Sequence, residues 1–185
     1  MSSATESEAA ALRRLLLQQE IEQFLFTEAD LLDRRDFAAW LQQLDDDFRL
    51  FVPITQNVRY DMLDQEQTRE SRDMNWFDEG LDTIRKRIDQ IATGLHWAEE
   101  PRSRTTHVLT NILIDKVEES ESVVSAVETS SILFLYRNRN QDETDFLVGR
   151  RRDRLRRHDS GWKVARREVH LAQSVLLAKN LTTFF

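Results

Sequence analysis

The chain has 185 residues, 40% hydrophobic and 32% charged, as expected of one soluble globular domain that can bury its own core. No apolar run is long enough to span a bilayer, and a net charge of −7 opposes a polyphosphate partner, so membrane insertion and nucleic-acid binding are both disfavoured. The absence of cysteine excludes disulfides, thiolate nucleophiles and cysteine-held iron–sulfur clusters, so any cluster chemistry must sit in another chain.

The opening MSSATESEAAALRR has neither the basic start nor the apolar stretch of a secretory signal, and a cytoplasmic location is expected. Residues 1–11 precede most of the apolar pattern and are expected to form a flexible tail. Thr5 and Glu8 have capping-box spacing, and Leu12, Leu16, Ile21, Phe24, Leu25, Leu31 and Leu32 recur near the helical period, predicting one long amphipathic helix. Asp36 then caps a short second helix through Phe37, Trp40, Leu41 and Leu44, and Asp45, Asp46 and Asp47 mark its end. A short strand is predicted from Phe48 to Pro53. Thr55 to Asn75 is polar and aperiodic, the segment expected to be a mobile loop.

Helical spacing returns between Asp78 and Gly94 through Leu81, Ile84, Ile88 and Ile91, with Gly94 as the terminator. Four strands follow, Arg104 to Val117, Ser122 to Arg137, Asp145 to His158 and Trp162 to Val175, separated by turns at Glu118 to Glu121, Asn138 to Thr144 and Asp159 to Gly161. Helices first and hairpin-linked strands afterwards predict an α+β domain with an antiparallel sheet that twists around the long helix as a cone. With four glycines, two prolines and no repeat, residues 1–185 read as a single domain.

His96, His107, His158 and His170 show no short metal-ligand spacing, and no metal or cofactor site is expected in this chain. His107, in RTTHVLTNI, lies on the strand face opposite Val108, Ile112 and Ile114, placing it within reach of the first-helix carboxylates Asp30 or Asp33. Such a pair can exchange protons as general acid and base. It can equally satisfy two buried polar groups, and this is the preferred reading. No G-x-S-x-G, P-loop or G-x-G-x-x-G motif is present.

GRRRDRLRRHD, joined by Arg166 and Arg167, is a basic cluster in an acidic chain. Strand alternation sends Arg150, Arg152, Arg154 and Arg156 to one face and Arg151 and Arg157 to the other, which splits any phosphate-binding surface. Cross-strand ion pairing is one account, and docking of a partner's acidic surface is the preferred one. Trp76, Phe77 and Trp97 beside loops, and Phe184 and Phe185 at the end, point to assembly, since large exposed aromatics are costly for a monomer.

Several segments together, EIEQFLFTEADLLDRRDFAAWL, GLHWAEEPRSRTTHVLTNI, FLYRNRN, FLVGRRRDRLRR and VHLAQSVLLAKNLTTFF, resemble the small (beta) subunit of Rieske-type aromatic-ring-hydroxylating dioxygenases, which act on biphenyl, cumene, naphthalene or phenylpropionate. The resemblance implies a cystatin-like cone of the nuclear transport factor two type and a non-catalytic structural role in aromatic hydrocarbon catabolism. It implies a trimeric base, giving an alpha3-beta3 hexamer with large subunits that carry the Rieske 2Fe-2S cluster, the mononuclear iron and the substrate pocket. Electrons from NADH would reach the large subunit through a reductase and a ferredoxin.

The same superfold suggests a rival enzyme, a stand-alone dehydratase or isomerase, because Asp33 and His107 resemble the Asp–His pair of scytalone dehydratase. Leu32 stands where that enzyme has a tyrosine, and its first-strand tyrosine is replaced by an apolar residue. No catalytic residue is therefore expected in this chain, with Asp33 and His107 the candidates of the rival reading.

Overall fold

Ile21, Leu25 and Leu32 fall on one stripe of the first helix, and this stripe meets the sheet. The computed structural model describes residues 2–94, 101–120 and 123–185, with side chains from Ser7 onward; the His96 and Trp97 expectations and part of the Glu118 to Glu121 turn lie outside them. Helix α1 spans Ser2–Asp33, starting ahead of the Thr5 cap expected from sequence. Leu12 and Leu16, placed on the apolar stripe by their spacing, are exposed.

Helix α1 ends in a Schellman turn: Asp36 N–H donates to the Leu31 carbonyl at 2.9 Å and Arg35 N–H to Leu32 at 3.0 Å. Arg35 takes the left-handed conformation such a turn needs, at φ 59°. The reversal delivers Asp36 as the cap of α2 (Phe37–Gln42), where its carboxylate accepts from Ala39 N–H at 3.1 Å.

Strand β1 covers Leu44–Val52, so Leu44 and the three aspartates belong to a strand and do not close the helix. Leu44 is buried and its carboxylate neighbours Asp45 and Asp47 pair with Arg156, interactions between distant residues that local spacing does not reveal. A 3₁₀ turn at Tyr60–Gln65 interrupts the long loop. Strand β2 (Phe77–Gly80) takes the residues expected to open the third helix, which starts at Leu81 and ends at Ala92 as α3. Gly94 follows with φ 66°.

Strands β3 (Arg104–Ser120), β4 (Val123–Asn140), β5 (Glu143–His158) and β6 (Gly161–Leu171) complete one sheet of order β2-β1-β6-β5-β4-β3. The β6 strand stops four residues short of the expected Val175. Neighbours are antiparallel except β1 and β6, which run parallel. Glycine is required at Gly149, where a Cβ would lie 2.5 Å from the His170 carbonyl oxygen of the next strand.

In β3 the alternation breaks. Asn111 adopts φ 54° and the register shifts between Thr110 and Leu113. His107 and Leu109 face inward, and the bulge then turns Ile112 inward as well, although simple alternation assigns it to the opposite face with Val108.

Candidate functional site

Strand β3 is a sheet edge, and α1 covers it with side chains. Gln18 donates to the Ile112 carbonyl at 2.9 Å. Asp33, at the other end of the helix, accepts the His107 backbone N–H at 2.9 Å and meets its ring Nδ1 at 2.6 Å. The structure thus joins His107 to Asp33, whereas Asp30 pairs with Arg34 on the surface.

The other ring nitrogen of His107 lies 3.0 Å from the main-chain oxygen of Phe184. Both nitrogens therefore face oxygen atoms of the protein itself. Both are engaged within the protein, although His107 also lines a cavity of about 290 Å³ together with Leu32, Arg35, Phe37, Ile91, Arg102 and Phe184. Burial pushes the Asp33 carboxyl up, but hydrogen bonds from the His107 ring and backbone, the His107 charge and Thr105 together hold it below its ordinary value.

A second polar constellation, not anticipated from the sequence, lies deeper. Glu28, on the buried stripe of α1, receives Arg167 at 2.7 Å through both terminal nitrogens, Arg151 at 2.7 Å and the Trp40 indole at 2.9 Å. Asp153 completes the set, bound by Arg151 at 2.6 Å and Arg167 at 2.7 Å. Two carboxylates thus balance two guanidinium groups, all virtually inaccessible to solvent. Burial drives the Glu28 carboxyl up, yet Arg167 and Arg151, with hydrogen bonds from Arg167 and Trp40, hold it at about 2.

Arg167 also donates to the main-chain oxygen of Phe185, which ties the end of the chain into the network. Phe184 and Phe185 are consequently core residues, as is Phe77, and not the exposed aromatics expected from their positions. Phe184 packs against Trp40 with ring centroids 4.9 Å apart, Phe185 meets Phe77 at 5.7 Å, and the Arg87 guanidinium lies 4.6 Å from the rings of both Phe77 and Phe184.

Most of the basic cluster is also consumed within the chain. Arg154 binds Glu118 and Glu128, Arg156 binds Asp45 and Asp47, Arg157 binds Glu20, and Arg166 binds Glu70 and Glu168. Intramolecular pairing therefore replaces partner docking for these arginines, because carboxylates distant in sequence converge on them. His158 meets Asp45 at 3.3 Å, and His170 meets Gln67 at 2.7 Å. Among the described residues, no three His, Asp or Glu side chains converge as a metal-ligand set.

Residues 27–178 match the model of the ring hydroxylating beta subunit family. The chain is 38% identical to the benzene 1,2-dioxygenase subunit beta of Pseudomonas putida, over 92% of this chain and 90% of that one. A solved structure of naphthalene 1,2-dioxygenase with indole bound superposes with a TM-score of 0.75 at 24% identity, covering 92% of this chain and 86% of that chain. An NTF2-like protein of cystatin-like fold from Novosphingobium aromaticivorans gives 0.55 at 20% identity, with 92% of each covered. These last two establish the cystatin-like α+β cone expected from the helix-then-sheet order, and the family match together with the P. putida relative establishes that the chain belongs to the ring-hydroxylating dioxygenase beta subunits.

Proposed function

We propose that the chain, as one domain over residues 1–185, is the non-catalytic structural subunit of a cytoplasmic aromatic-ring dioxygenase. Three copies form a base beneath three large subunits in an alpha3-beta3 hexamer. The Rieske cluster, the mononuclear iron and the ring substrate belong to the large subunit, which draws electrons from NADH through a reductase and a ferredoxin. The observation that carries the structural role is the engagement of every hydrogen-bonding position of His107. Its backbone N–H and Nδ1 meet Asp33, and its Nε2 meets Phe184. A general base needs a free nitrogen within reach of its proton, and this pair instead joins α1, the β3 edge and the closing segment.

The test is His107→Ala, reassembled with the large subunit. Thermal and urea unfolding should show a loss of about 1–3 kcal/mol from the unpaired buried partners. Turnover per intact complex should remain near wild type. A variant that melts normally and assembles fully, yet loses nearly all turnover, would overturn the structural role.

A further inference from the structure

The cavity of about 290 Å³ that His107 lines has a lining of two kinds. Leu32, Phe37, Ile91 and Phe184 are apolar, whereas Arg35, Arg102 and Arg137 are cationic, and the described lining contains no carboxylate. Leu32 and Phe184 are buried, and the rings of Phe37 and Phe184 meet edge to face at 5.3 Å. Such a surface suits an apolar ring, which packs well against aromatic edges and faces.

The three guanidinium groups are not equivalent. Arg137 is committed to the fold, donating to Asp145 at 2.9 Å, Asn180 at 2.7 Å and Thr182 at 3.1 Å. Asp33, the carboxylate that meets a lining residue, is committed to His107. Arg35 is half-buried, and its hydrogen-bond partner among the described residues is the main-chain oxygen of Ser103. That contact steadies the guanidinium without balancing its charge, and it leaves further N–H donors. Arg102 is exposed, with no ion-pair or hydrogen-bond partner among the described residues.

Two positive charges therefore line one cavity with no described carboxylate to balance them. A charge drawn partly out of water in that state is costly, and an anion would relieve the cost. A guanidinium group receives a carboxylate through two parallel hydrogen bonds. An apolar cavity of roughly 150 Å³ already admits benzene. The larger volume here leaves room for a carboxylate beside such a ring.

We propose that this cavity is a binding site for a small carboxylate carrying one apolar ring. The ring lies against Leu32, Phe37, Ile91 and Phe184, and Arg35 and Arg102 hold the carboxylate. Inorganic phosphate would answer the charge and leave the apolar lining unused, and a neutral ring would leave the charge unbalanced. The site binds its ligand without reacting, because both ring nitrogens of His107 are occupied by Asp33 and Phe184. Since Thr182, Thr183 and Phe184 line the cavity, binding steadies the closing segment. The proposal goes beyond the structural role above and does not depend on it.

The test is calorimetric titration of the full chain with benzoate, at constant ionic strength, beside benzamide, acetate and inorganic phosphate. Benzoate should bind once per chain with a Kd of about 0.1–1 mM. Near saturation it should raise the Tm by about 5 °C. Benzamide keeps the ring without the charge, and acetate the charge without the ring; each should bind at least tenfold more weakly, as should phosphate. Arg102→Gln should weaken benzoate binding at least fivefold while melting like wild type without ligand. Arg35→Gln should act likewise, and Arg35→Lys should keep part of the affinity. Ile91→Trp should fill the cavity and abolish binding with an unchanged circular dichroism spectrum; Arg102→Gln decides if that variant fails to fold. Benzamide binding as tightly as benzoate, or wild-type affinity in both glutamine variants, would overturn the proposal. Acetate or phosphate binding equally well would mark a general anion site, and unaltered binding by Ile91→Trp would place the ligand elsewhere; either result refutes it. Absence of heat and of any melting shift at benzoate concentrations far above millimolar would refute it outright. None of these outcomes bears on assembly with a large subunit.

Discussion

Glu28 concentrates the energetics of the chain in one carboxylate. Its folded-state value of about 2 lies below the ordinary 4.5, so folding favours the ionised form. The corresponding stability is complete above pH 4.5 and is lost as the pH falls toward 2. Asp33 is shifted in the same direction and Glu168 is held at about 2 by hydrogen bonding from His170 and the Arg166 contacts, against its burial, which reinforces acid lability in that window. Glu28→Gln should cost about 3–5 kcal/mol at neutral pH, because it leaves Arg151 and Arg167 buried with one carboxylate between them. Urea unfolding at a series of pH values should also give a flatter profile between pH 4.5 and 2 than wild type.

At the scale of elements, the β3 bulge determines which residues reach α1. Asn111 tolerates its left-handed conformation better than a β-branched residue does. Asn111→Val should therefore lose about 1–2 kcal/mol, and Asn111→Gly should be neutral or slightly stabilising, both read from thermal melting. The closing segment is the second such element. Phe185 is 1% exposed, and Phe185→Ala should cost about 3–5 kcal/mol in urea unfolding. A loss well below 1 kcal/mol would show that the segment contributes little to the core.

At the scale of the whole molecule, a helix-filled cone closes around its own polar network and leaves Val108, Phe134, Tyr136 and Phe146 exposed on the sheet. A chain with no cysteine cannot hold an iron–sulfur cluster through thiolates, and its histidines are dispersed. The purified chain alone should accordingly retain no stoichiometric iron by elemental analysis and show no cluster absorption, whereas its complex with the large subunit should show both. Stoichiometric iron in the isolated chain would contradict the division of labour proposed for the two subunits.

The three helices and the four long strands that follow them were legible in the chain because their apolar periods are local patterns, whereas β2 was not, since its four residues are too few to show one. The Asp33–His107 meeting was legible too, since a polar residue on an inward strand face needs a partner. Glu28 left a signal that went unread: it interrupts the stripe of Ile21, Leu25 and Leu32, and Arg151 and Asp153 occupy inward positions between Gly149 and Leu155. A charge on a buried stripe requires a counter-charge, but local spacing does not name it. Tertiary structure alone decided that Arg151, Arg167 and Asp153 enclose Glu28, that Asn111 turns Ile112 inward, and that Phe184 and Phe185 enter the core. The parallel pairing of β1 with β6 belongs with these. Each depends on contacts between residues far apart in the chain, whose geometry exists only once the sheet has closed around α1.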